Sequence, residues 1–228
     1  AIANKDSLGS GNAKITVSVI SGDIHQIGIH VAEWKGYFTS YGLDVTFSPA
    51  SNGAGVATAV INGDANIGLL GAPPATINMI NMGYITSDSV VDASKAYNLV
   101  ARVNSEGSGL FINNNVLDDS NSTIPERNGT PFYSVSGDKY VVSEANAKAW
   151  GGLIFGTPGT TSIQHIQFLT LVNDLGLKAE QYVVGTKLSN DKVYFVTNLA
   201  DFSKITADPS INGGIIWEPQ YQRVIQEA

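Results

Sequence analysis

The sequence predicts an α/β fold in which helices cover largely parallel sheets, arranged as two lobes. Three observations carry this expectation. Strand-like and helix-like segments alternate from Lys14 onward, which is the pattern of helices laid over a parallel sheet. Turns of glycine, proline and small polar residues punctuate the alternation at strand ends and helix starts. The alternation stops near residues 101 to 106, passes through a polar stretch, and resumes, so two sets of strand-loop-helix units are expected.

In the first set, Ile15 to Ile20 is apolar and β-branched, as a buried strand is. Gly22-Asp23 turns the chain, and Ile24, Ile27, Val31 and Trp34 then recur at helical spacing, with Asp23 and Gln26 placed as a capping box and Gly36 as a stop. Leu43, Val45 and Phe47 alternate as a second strand. Gly53 to Ile61 reads as a short helix closed by Asn62-Gly63, and Ile67 to Leu70 as a third strand. Gly71-Ala72-Pro73-Pro74 opens a helix to about Asn81, since proline suits a first helical turn, and Tyr97 to Val103 reads as a fourth strand.

Asn113 to Lys148 is polar and turn-rich, with short β-like runs such as Tyr140 to Val142, and reads as an insertion; its two N-x-[ST] sequons, at Asn121 and Asn128, are the number chance allows. The second set then runs through a strand at Leu153-Ile154-Phe155, a loop Gly156 to Thr161, and a helix carrying Ile163, Ile166, Leu169, Val172 and Leu175. Tyr182 to Val184 is expected as a strand, Leu199 to Ile205 as a short helix, and Gly214 to Trp217 as a last strand. The expected organisation is a flexible tether at 1–12, a first lobe of 13–101 with 214–228, and a second lobe of 102–213 holding the insertion at 113–148.

Composition narrows the function. Thirteen Lys and Arg against twenty Asp and Glu give a formal charge of -7, which disfavours nucleic acid and anionic membrane surfaces as partners. Any bound anion must be held locally, against the field of the whole chain. The absence of cysteine excludes disulfides, thiolate metal sites and cysteine nucleophiles. No run approaches the roughly 18 apolar residues that span a bilayer, so membrane association is expected only through an N-terminal anchor. His25 and His30 are five residues apart and do not share a helix face, so a metal site is not expected; no cofactor is expected either.

Three loops share a strand end, a small-residue turn and a helix start: one at Gly22, Asp23, His25 and Gln26, one at Gly71, Ala72 and Thr76, and one at Thr157, Gly159, Thr160 and Thr161. A helix N-terminus presents free N–H groups and the positive end of its dipole, which together suit an anion. In open α/β sheets, ligands lie beyond the carboxyl ends of the strands. Each loop taken alone is explained by helix capping; three from both halves point to a joint ligand site in a cleft between the lobes. His25 suits either donation to an anion or capping. Trp217 suits hinge packing and, second, a wall of the ligand site, while Glu218 suits hydrogen bonding within the protein, because a carboxylate repels an anion.

These residues carry a resemblance. Gly22-Asp23-Ile24-His25, then Ala32-Glu33-Trp34-Lys35-Gly36-Tyr37-Phe38 and Gly42-Leu43-Asp44-Val45, are similar to the opening of solute-binding proteins of the sulfonate, nitrate, taurine and thiamine-precursor type. The likeness continues through Gly63-Asp64-Ala65-Asn66-Ile67-Gly68, Gly71-Ala72-Pro73-Pro74-Ala75, Gly156-Thr157-Pro158-Gly159-Thr160-Thr161 and Trp217-Glu218-Pro219. The resemblance implies a type II periplasmic-binding-protein fold, hinge closure on a small anionic solute, a position outside the cytoplasm, a monomer, and delivery to an ABC permease driven by its ATPase. It implies no catalytic residue.

Three rivals stand beside that reading. Enzymes share this fold class by resemblance, though the pyrimidine synthases and desulfinases among them rely on cysteines, which this chain lacks. An apolar or cationic ligand, including a pyrimidine or thiamine precursor, would use the nine tyrosines and three tryptophans. An adhesive role has only the polar insertion in its favour.

Overall fold

The computed structural model of the chain describes residues 12–86, 88–93, 95–98, 100–101, 107–197, 199 and 207–227. By backbone contacts the chain divides into two units, one of residues up to Gly107 with Thr161–Ile163, the other of Ser108–Thr160 with Gln164 onward.

The first unit is built on a three-stranded parallel sheet. Strand β1 (Ala13–Ile20) lies between β2 (Leu43–Ala50) and β3 (Ile67–Gly68), all running the same way. Val17, Ser18, Val19 and Ile20 are buried, as a central strand covered on both faces requires. A 3-10 turn (Ile24–Gln26) leads into α1 (Ile27–Trp34), then α2 (Tyr37–Ser40); α3 (Gly53–Asn62) and α4 (Ala72–Asn81) follow β2 and β3. Helix α3 starts where the Asn52 side chain accepts the Gly55 N–H at 3.0 Å and stops at Gly63, whose φ of 82° is the left-handed conformation that ends helices. It packs closely on β3: a methyl group at Gly68 would lie 2.7 Å from Val56 Cγ1.

The second unit carries a five-stranded sheet in the order β10-β11-β9-β12-β4, formed by β4 (Ser108–Ile112), β9 (Ile154–Gly156), β10 (Lys178–Gln181), β11 (Lys192–Val196) and β12 (Gly213–Trp217). All neighbours are parallel except β4, which runs against β12. Helix α5 (Ala147–Trp150) precedes β9, α6 (Ile163–Asp174) follows it, and α7 (Gln220–Glu227) closes the described chain. The core gathers Phe132, Trp150, Phe155, Phe168, Val172, Val193 and Ile215. Trp150 stacks on Phe155 at 5.3 Å between ring centres, meets Phe132 edge-on at 5.4 Å, and donates its indole N–H to the Phe132 carbonyl at 2.8 Å.

The segment read as an insertion belongs to this packing. Its hairpins pair β5 (Glu126–Arg127) with β6 (Thr130–Pro131) and β7 (Ser134–Ser136) with β8 (Lys139–Val141). The Asn128-Gly129 turn is left-handed at both residues, with φ of 56° and 66°, as a two-residue hairpin turn demands. The Asp118 carboxylate accepts both N–H groups of that turn, and the bond from Gly129 is the main reason its pKa lies below the usual carboxylate value. Arg127 Nη1 donates to the carbonyls of Ala149 and Gly151 at 3.0 and 2.9 Å, tying the hairpin to α5.

Several expectations change. Residues 214–228, assigned from sequence to the first lobe, group with the second unit, because β12 pairs with β9 and β4 and α7 packs on β12 and β4. The expected strand at 97–103 is not a strand at residues 97, 98, 100 and 101, and the rest of it lies outside the described residues. Tyr97 instead donates its hydroxyl to the Ala75 carbonyl of α4, and burial pushes its pKa up to about 12. The expected strand at 182–184 falls just past β10, whose register with β11 ends at Gln181; Val183 and Val184 are exposed and Thr186 N–H turns back to Val183. Strands β4 and β11 were not anticipated. Of the helix expected at 199–205, all but Leu199 lies outside the described residues, as does residues 1–11 of the expected tether. Among the described residues no helix is long and apolar enough to cross a membrane.

Candidate functional site

In the first unit, the loop after β1 is organised by its own polar side chains. Gly22 turns at φ 70°. Asp23 Oδ1 accepts the His25 N–H at 3.0 Å and lies 2.5 Å from His25 Nδ1, so that nitrogen carries a hydrogen toward the carboxylate. The expected capping box is replaced by a longer reach. Gln26, 4% exposed, accepts the Ile20 N–H through Oε1 at 2.9 Å and donates from Nε2 to the Leu69 carbonyl at 3.1 Å and to Asp23 Oδ2 at 3.3 Å. Because Leu69 follows β3, one amide fastens the loop after β1 to the loop that opens α4. Two of the three sequence-identified loops are thereby neighbours.

The same bonds redistribute roles within the loop. Asp23 and Gln26 spend their polar atoms on the loop itself, so they hold its shape rather than face a solute. The His25 ring lies close against Gly107, where a methyl group would collide with Nε2; at φ 105° that position is one only glycine occupies freely.

The loop at Gly71 and Ala72 begins α4 without a capping side chain. Pro73 and Pro74 have no N–H to offer, and Ala75 N–H is already bonded to the Gly71 carbonyl at 3.3 Å. The backbone donor in this first turn is therefore Ala72 N–H, supplemented by the helix dipole. The Thr76 hydroxyl donates back to the Ala72 carbonyl at 3.2 Å, leaving only its acceptor side free.

The loop after β9 is richer in donors. Thr157 is fully buried: its N–H continues the ladder to the Val196 carbonyl at 2.9 Å, and its hydroxyl lies 3.1 Å from His165 Nδ1. It orders the loop and does not line a surface. Gly159 and Thr161 are half-buried and Thr160 is exposed, and the first N–H groups of the twelve-residue α6 precede its first internal acceptors. Trp217 ends β12 at 5% exposure, and its indole N–H is buried with no acceptor among the described residues. Glu218 instead receives the Gln222 N–H at 3.2 Å, at the start of α7. Two polar residues escaped the sequence reading: Gln164, in the first turn of α6 and 5% exposed, and Ser108, whose hydroxyl takes the Gln164 amide hydrogen at 2.9 Å. Ser108 opens a strand that had not been foreseen, so nothing marked it.

His165 is buried against Phe168 and Phe195, and loss of solvation holds its pKa below the ordinary 6.5. Below pH 6.5 the unfolded chain takes up a proton that the folded chain resists. The stability this neutral imidazole contributes is therefore full above pH 6.5 and is lost as pH falls toward the lower folded value. Thermal melts at stepped pH are expected to show this decline in the wild type and a shallower one in His165→Gln.

The two sheets and their strand-end loops define the fold class of the type II periplasmic binding proteins. Residues 12–200 match the NMT1-like family, and the chain belongs to it. In structure it is similar to the periplasmic nitrate-binding protein NrtA from Synechocystis PCC 6803, at 15% identity and a TM-score of 0.58 over 95% of this chain and 49% of that one. It is similar also to the periplasmic aliphatic sulphonate binding protein SsuA from Escherichia coli, at 13% identity and a TM-score of 0.53 over 96% of this chain and 58% of that one. The alkanesulfonate-binding protein SsuA from Xanthomonas axonopodis, bound to MOPS, matches at 13% identity and a TM-score of 0.50 over 96% of this chain and 59% of that one. The chain thus spans about half to three fifths of the length of these neighbours. No curated protein matches it in sequence.

Proposed function

We propose that this chain is the solute-binding component of an ABC importer, working outside the cytoplasm as a monomer, and that it captures a small oxyanion-bearing solute without chemically changing it. The observation that carries the reading is the Gln26 amide, which holds two loops at the carboxyl ends of parallel strands beside one another. The candidate donors at the start of α4 are Ala72 N–H with the helix dipole; in the loop after β9 they are the hydroxyls of Thr160 and Thr161 with the first N–H groups of α6. Preorganised neutral donors suit an anion in a chain of formal charge -7, because they hold it without a counter-charge. Membership of the NMT1-like family supports the reading, as do the nitrate and sulfonate ligands named for the neighbours. A permease and its ATPase are the partners this role requires.

A thermal-shift screen of alkyl sulfonates, nitrate, bicarbonate and pyrimidines tests the proposal, since a ligand of the folded state raises the melting temperature. A shift with a sulfonate or inorganic anion is expected; a shift with pyrimidines alone moves the reading to the thiamine-precursor class. Thr160→Val with Thr161→Val is expected to weaken the anion by about ten- to a hundredfold, each lost bond being worth about 1 to 1.5 kcal/mol. Unchanged calorimetric affinity removes this loop from the grip.

A further inference from the structure

The three tryptophans have different surroundings. Trp34 is 78% exposed, so water serves its indole. Trp150 is buried, and its N–H reaches the Phe132 carbonyl at 2.8 Å. Trp217 alone combines burial, at 5% exposure, with an indole N–H that has no acceptor among the described residues. A buried donor without a partner is destabilising, and folded proteins keep few of them.

The register of the sheet locates this donor. Trp217 on β12 stands opposite Ser108 on the antiparallel β4, so the two side chains leave the sheet on one face, with Cβ atoms about 5 Å apart. It is the α6 face, because Ile215, two residues earlier on the same strand, packs in the core that contains Phe168 and Val172 of that helix. The opposite face is taken by α7, whose Tyr221 ring lies over Gly109, where a methyl group would fall 2.3 Å from it. Gln164, in the first turn of α6, donates its amide hydrogen to Ser108 Oγ at 2.9 Å. Because that oxygen accepts, the Ser108 hydroxyl hydrogen remains to be donated, and Ser108 is exposed.

We propose that Trp217, Ser108 and Gln164 form a subsite for an oxygen acceptor on the organic part of the solute, distinct from the grip on its oxyanion. The proposal rests on the solute-binding reading above and narrows its ligand. Trp217 N–H and Ser108 O–H supply two neutral donors, and Gln164 fixes the second of them. Two neutral donors suit one acceptor such as an ether or carbonyl oxygen, which takes up to two hydrogen bonds. The solute is then an organic acid with a second oxygen acceptor. Since the indole N–H is covered in this state, the acceptor reaches it as neighbouring side chains shift.

Two sulfonates separate the places. Ethanesulfonate carries the oxyanion alone, and MOPS adds a morpholine ring with an ether oxygen. Calorimetry on the wild type, Trp217→Phe and Ser108→Ala is expected to show each variant weakening MOPS about fivefold more than it weakens ethanesulfonate, which is the loss of one neutral hydrogen bond. Phenylalanine keeps most of the ring and removes the donor, and exposed Ser108 tolerates alanine, so a folding defect in one variant leaves the other to decide. Equal losses for both sulfonates overturn the subsite. A wild type that binds neither sulfonate overturns the subsite, while nitrate or bicarbonate binding by the same protein leaves the oxyanion reading standing.

Discussion

Replacing Trp150 with alanine is expected to lower the unfolding free energy by about 4 kcal/mol, within the range for removing a large buried aromatic. The side chain is 2% exposed, stacks on Phe155, meets Phe132 edge-on and satisfies the Phe132 carbonyl. Alanine removes all three contacts, opens a cavity in the centre of the second unit, and leaves a buried carbonyl without its donor. Trp150→Phe keeps most of the volume and is expected to lose about 1 to 2 kcal/mol, mainly the hydrogen bond and some packing. Urea unfolding followed by far-ultraviolet circular dichroism measures both. Since marginal domains have only about 5 to 15 kcal/mol in all, the alanine variant is expected near its unfolding midpoint at much lower urea. A loss under about 1 kcal/mol for alanine would contradict the packing described.

Gln26→Leu is expected to have the larger functional effect in the first unit. Leucine fills a similar volume but deletes the bonds to Ile20 N–H, the Leu69 carbonyl and Asp23. The Ile20 bond is buried, so its donor is left without an acceptor, and the total loss is about 3 kcal/mol. The damage is local: the loops after β1 and β3 are no longer fastened. Hydrogen exchange at Ile20 is expected to accelerate by about a hundredfold, while exchange in β9 and β11 stays as in the wild type. Solute affinity is expected to fall with it, because the loops are no longer preorganised. Wild-type exchange at Ile20 would show that the amide is not the fastening.

The outcome separates what pattern can reveal from what it cannot. Alternation at Leu43, Val45 and Phe47, the Asn62-Gly63 stop and the glycine-proline turn before α4 were readable because each depends on neighbours along the chain. Lys192–Val196 was missed although it is an apolar, β-branched run, and Tyr182 to Val184 was preferred to the true strand four residues before it, because strand limits are set by the partner's register. At the candidate site, the loops were found from glycine, proline and hydroxyl residues at strand ends. Which side chains in them remain open was not visible. Asp23, Gln26 and Thr157 look like ligand groups in sequence, yet their hydrogen bonds are spent on Ile20, Leu69, His165 and one another's loops.

The α/β class, the resemblance to the family, the places of the strand-end loops and the absence of cysteine chemistry were all legible in the amino acids alone. All of these rest on residue type and short spacing. It took the folded chain to show that β12 lies between β9 and β4, that Gln26 joins two loops 43 residues apart, and that the indole of Trp217 stands across from Ser108 with no acceptor for its hydrogen among the described residues. Those facts depend on which distant segments pair, and pairing is chosen by burial and hydrogen-bond satisfaction over the whole sheet, which no local window contains.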